Sequence, residues 1–230
     1  MNFLINIFFS FIEFLAGLSF ADVLFRLPVE KNKRLKHVII SLFLALESAY
    51  FTTYWHNALI NFMFTLFLWI ISLVVFFQIS IWFSMLIGIV SGLLGVGLEL
   101  IGFMIGNLIE SINLNKIDDL TRNIVLFSVA LVLYLVSVLL SRKKFGFLIP
   151  NIYANPPLNK LFFIVSSCMI TSLLVTVFVN YLYIGNIGII HLIGTVLLLI
   201  CTFLVVTFSY KLNKKLLKDK YNRNGNSTWI

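Results

Sequence analysis

The sequence predicts an all-α, polytopic transmembrane bundle of about seven helices, and three observations carry that prediction. Of the 230 residues, 60% are apolar, 16% aromatic and only 11% charged, where soluble domains average about a quarter charged. Seven apolar segments follow one another, most of them near or above the ~20 residues a helix needs to cross hydrocarbon. The 17 lysines and arginines fall almost entirely into alternate loops. Together these exclude a water-soluble globule, a disordered chain and a disulfide scaffold. Cys168 and Cys201 both lie inside apolar stretches and lack the clustered spacing of a disulfide or metal framework.

The segments are predicted at about 3–25, 37–55, 58–78, 81–108, 124–140, 161–183 and 188–209, the fifth being short for a full crossing. They must be helices, because an unsatisfied backbone group in lipid costs several kcal/mol. Only Gln78, Ser80 and Trp82 interrupt some fifty apolar residues between the third and fourth, too many for one crossing, so a tight hairpin is predicted there. The first segment is not expected to be a cleavable leader. It is too long, Glu13 interrupts it, and no basic residue is added ahead of it.

Orientation follows from the basic residues. Fifteen of them group as Arg26–Lys36, Arg142–Lys160 and Lys211–Arg223, leaving Lys116 and Arg122 for the other side. Seven crossings then place the N-terminus outside and the C-terminus in the cytoplasm of a plasma-membrane protein. This gives a membrane domain over residues 1–210 and a short basic tail over 211–230. The net charge of +8 reports that topology and an attraction to anionic lipid of about 1 kcal/mol per basic residue. Nucleic acid is not expected as a partner. Tyr54, Trp55, Tyr181 and Tyr183 fit interfacial aromatic belts.

Acids inside a span cost roughly 2.5–3.5 kcal/mol at mid-helix and need a reason. Glu13 and Glu47 fall near the centres of the first two segments. Asp22 precedes Arg26 by four residues, the spacing of an acid-first helical pair. Glu99 continues a stripe on the fourth segment formed by Ser84, Gly88, Gly92, Gly95, Gly102 and Gly106, which read as one continuous face. Small residues on one face admit a close neighbouring helix, so Glu99 is expected to point into a helix contact. The sixth segment carries Cys168, Ser172, Thr176 and Asn180 at steps of four, and the seventh His191, Thr195 and Thr202. Such hydroxyls either bond their own backbone or a neighbouring helix, or line a pocket. The candidate ligand-binding set is Glu47, Tyr54, His56, Glu99, Asn180, Tyr183 and His191, in an outward pocket among segments two, four, six and seven. No kinase, protease, hydrolase or phosphate-loop motif stands in the chain, so no catalytic residue, metal or cofactor is expected.

The opening FFSFIEFLAGLSFADVLF, the first basic loop RLPVEKNKRLKH and the final run SYKLNKKLLKDKY resemble the membrane sensor domain of peptide-sensing, accessory-gene-regulator type histidine kinases of Gram-positive bacteria. The likeness covers roughly residues 1–221. It implies an extracellular peptide ligand, a quorum-sensing two-component system, and a last helix that signals to a dimeric cytoplasmic kinase. That kinase's phosphoacceptor and ATP-binding boxes have no counterpart in these residues. Two other readings fit: a small ion-coupled transporter using Glu13, Glu47 and Glu99 as relays, and an immunity-type interaction protein docking a partner on Gly92 and Gly95.

Overall fold

The computed structural model describes residues 3–27, 32–55, 57–110, 119–182 and 189–226. Its regular elements among the described residues are all helices: α1 (Phe3–Phe25), α2 (Lys33–Tyr50, prolonged by a π-helical turn Phe51–Trp55), α3 (Ala58–Phe77), α4 (Ile81–Glu110), α5 (Asp119–Arg142), α6 (Lys160–Leu182) and α7 (Ile189–Asn226). All seven are long and apolar enough to cross a membrane, the architecture of a multi-pass membrane protein. Pro150, Pro156 and Pro157 all stand in the α5–α6 loop, where a missing N–H and a fixed φ interrupt no helix.

The segment predicted to be marginal is a 24-residue helix, because Asp119–Asn123 adds a polar turn ahead of the apolar stretch. The predicted hairpin is present. Gln78 ends α3 in the left-handed region at φ 53°, and α4 starts at Ile81. At the far end α7 runs unbroken for 38 residues, about 57 Å of helix, carrying the basic tail as its last turns.

In α4, 61% of the most apolar window is buried, against 22–33% in the other six helices. α4 is the central helix, packed by α1, α3, α5, α6 and α7. Around it the order is α5, α1, α2, α3, α6, α7. The outer helices turn apolar side chains such as Phe8, Phe67, Leu131, Phe163 and Phe203 away from the protein, as lipid-facing surfaces require.

The odd-numbered helices all run toward the lysine-rich end, so their C-terminal carbonyls gather there and the cations complete them. α1 closes with the Leu27 N–H on the Asp22 carbonyl, and α5 with the Phe145 N–H on the Leu140 carbonyl. Arg26 (φ 46°) and Lys144 (φ 51°) occupy the left-handed positions that glycine usually fills after a helix. Lys36 Nζ donates to the Phe76 carbonyl at the end of α3 (2.6 Å) and stands 5.4 Å over the Phe77 ring.

The expected Asp22–Arg26 pair does not form. The helix has ended before Arg26, which swings to donate to the Lys144 carbonyl. Asp22 instead pairs with Lys33 of α2. A double-mutant cycle should therefore give Asp22–Lys33 a coupling of about 0.5–3 kcal/mol and leave Asp22–Arg26 additive within about 0.5, read from thermal or denaturant unfolding in detergent.

Candidate functional site

Three polar assemblies stand out against the apolar bundle. The first is a seam between α2 and α3. Thr65 Oγ1 lies 2.7 Å from Glu47 Oε2 and 3.2 Å from Asn61 Oδ1. The Asn61 amide donates to Ser48 Oγ (3.3 Å) and Thr52 Oγ1 (3.4 Å). Asn57 caps α3 by accepting from the Ile60 N–H at 3.1 Å, which fixes the start of α3 beside the π turn. Glu47 Oε1 is buried and has no hydrogen-bond partner among the described residues.

The second assembly is the small-residue face of α4, and it does not serve one neighbour. A Cβ on Gly88 would stand 3.0 Å from Ile70 of α3, and one on Gly92 would stand 3.8 Å from Leu66 and Phe62. On Gly95 it would meet nothing within 4 Å, and on Gly102 it would meet Val125 of α5 at 3.0 Å. α3 and α4 therefore diverge from their hairpin toward the opposite end, leaving open space beside Gly95. Glu99, one turn further on the same face, is half-buried. A Cβ on Gly97, on another side of this segment, would stand 3.8 Å from Leu199 of α7. One short stretch of α4 thus has open space on one side and α7 on another.

The third assembly is at the lysine-rich end, where the α5–α6 loop is tucked under the bundle. The Phe147 N–H donates to the Leu24 carbonyl (2.6 Å), and the Ser80 N–H to the Ile152 carbonyl (3.1 Å). The Phe147 ring is buried against Phe25, centroids 5.1 Å apart. Asn213 of α7 spans the Leu148 peptide. In the amide orientation that satisfies both groups, Nδ2 donates to its carbonyl (2.9 Å) and Oδ1 accepts from its N–H (3.2 Å). A shallow apolar recess, lined in part by Phe25, Phe147, Leu212 and Leu216, lies beneath this clasp.

Of the candidate set, Glu47 and Glu99 are placed as above. Tyr54 is exposed on the π turn, 5.1 Å from the Tyr50 ring and 6.4 Å from Phe3. His56 and Tyr183 lie outside the described residues, as do the side chains of Asn180 and His191 and the surroundings of Gly106. In the described part of the hydroxyl stripes, Ser172 donates to the Cys168 carbonyl, Thr176 to that of Ser172, and Thr202 to that of Leu198, each within its own helix. α2 packs against α1 and α3, whereas α6 and α7 pack against each other and α4, so Glu47 is turned to α3. Sequence reasoning missed Thr65, Asn61 and Asn213. The first two were legible as an Asn-x-x-x-Thr step on an apolar helix, while nothing marks Asn213 among its lysines.

Comparison with protein-family models, with curated protein sequences and with solved structures finds no match to this chain.

Proposed function

We propose that the chain is a plasma-membrane sensor module, with its N-terminus outside and its lysine-rich end in the cytoplasm. It binds an extracellular peptide or small apolar ligand in the cleft beside Gly95 and Glu99 and passes a helix movement inward along α7. The observation that carries this reading is the packing of α4 against α7, close enough at Gly97 that an added Cβ would stand 3.8 Å from Leu199. It sets α7, a single helix reaching the basic tail, against the α4 segment that borders the cleft. An occupant that shifts α4 also shifts α7, because packed helices move as rods rather than deform. The resemblance to peptide-sensing kinases supplies the ligand class, and the tail would address a cytoplasmic signalling partner or a second copy of the chain.

The test is a scan of photo-crosslinking residues at Tyr54, His56, Glu99, Tyr183 and His191, with Phe67 and Phe203 as lipid-facing controls, against candidate cyclic and linear peptides. Adducts concentrated at Glu99 and the other four scanned positions support the reading. Labelling confined to the two controls would remove it.

A further inference from the structure

A carboxylate in the hydrocarbon layer needs its charge balanced, since an uncompensated charge in a low-dielectric interior costs several kcal/mol. Glu47 sits ~21 Å along α2 from Lys33 by helical rise, well inside the span. No described cation reaches it. α3 carries no titratable side chain, α1 carries only the acids Glu13 and Asp22, and the π turn carries only Tyr54. Asp22 is already paired with Lys33 at the far end.

The hydrogen-bond arithmetic points the same way. Thr65 has one hydroxyl proton and two oxygen neighbours, Glu47 Oε2 at 2.7 Å and Asn61 Oδ1 at 3.2 Å. A bare carboxylate is acceptor-only, so one of the two oxygens goes without. Glu47 Oε1, buried with no partner among the described residues, is a second unmet acceptor. Both amide protons of Asn61 already point at Ser48 and Thr52. The seam is short of one positive charge and leaves two acceptor oxygens unmet.

We propose that this seam is a binding site for one small monovalent cation, H⁺ or Na⁺, carried on the Glu47 carboxylate and ordered by Thr65 and Asn61. With H⁺, Glu47 donates to Thr65, Thr65 donates to Asn61 Oδ1, and every link of the chain has its own proton. With Na⁺, the carboxylate, hydroxyl and amide oxygens supply the hard-oxygen donor set such ions take. The π turn that follows one helical turn later belongs to a class of irregularity concentrated at functional sites. The site stands independently of the sensor reading.

The experiment uses the full chain in detergent micelles or nanodiscs. Dicyclohexylcarbodiimide, which modifies protonated carboxyls in apolar surroundings, is followed by peptide mass spectrometry. Thermal midpoints are measured in parallel for the wild type and Glu47→Gln, whose amide keeps the Thr65 contact without a titratable group. The expected result is an adduct on Glu47 that fades at alkaline pH. Protection by NaCl but not by choline chloride identifies Na⁺, and indifference to NaCl identifies H⁺. The wild-type midpoint should rise with acid or with Na⁺ while that of Glu47→Gln stays fixed. A Glu47 that resists modification at every pH, with a wild-type midpoint indifferent to both ions or a Glu47→Gln midpoint that follows them equally, overturns the site.

Discussion

Gly146→Val should detach the α5–α6 loop from the bundle and lower the thermal midpoint on the order of 10 °C, from a loss of about 2–4 kcal/mol. A Cβ at this position would stand 2.8 Å from the Val23 carbonyl oxygen and 2.9 Å from that of Leu24. These are backbone atoms of the last turn of α1, and the Leu24 oxygen already accepts from the Phe147 N–H, so neither can retreat cheaply. The glycine is required by close approach, since its φ lies outside the left-handed region. If the loop lifts, Phe147 leaves Phe25 and Leu148 leaves Asn213, so α7 loses its tether at the same stroke. Hydrogen exchange across residues 209–218 should accelerate, and trypsin should cut after Lys143 or Lys144 more readily than in the wild type. Wild-type exchange and protease resistance in Gly146→Val would show that the clasp holds nothing.

The seven crossings were legible because lipid imposes a one-dimensional rule, an apolar run of sufficient length closed by charge. Gln78 and Ser80 sufficed to place a hairpin inside fifty apolar residues for the same reason. The partner of Asp22 was not legible. Its i+4 neighbour is eligible only while the helix continues, and the left-handed turn at Arg26 that ends it depends on the loop packed beneath. The clasp itself leaves a trace in the sequence. Phe145, Phe147, Leu148, Ile149 and Ile152 are too apolar for a solvated loop and too few to span, a composition that signals a segment folded back under its own bundle. Of the candidate site, Glu47 and Glu99 were found by the cost of burying an acid. Which helix each one faces depends on how the rods assemble around α4, and hydropathy does not encode that order.

The glycine stripe of α4 separates packing from function in a way two substitutions can read. Gly88→Leu places a branched side chain where even a Cβ would lie 3.0 Å from Ile70 and 3.5 Å from Leu66. α3 must move off the central helix, at a cost of about 1–3 kcal/mol. Gly95→Leu meets open space, and exchanging glycine for leucine inside a helix favours the helix by up to about 1 kcal/mol. The unfolding midpoint in detergent should therefore fall for Gly88→Leu and hold or rise for Gly95→Leu. Ligand capture should show the reverse order. A leucine at position 95 fills the cleft beside Glu99, so peptide crosslinking at Glu99 should be lost from a protein that remains stable. Crosslinking at wild-type yield in a folded Gly95→Leu protein would place the ligand elsewhere on the bundle. A fall in stability equal to that of Gly88→Leu would mean that α3 and α4 stay in contact along their whole length, with no cleft to fill.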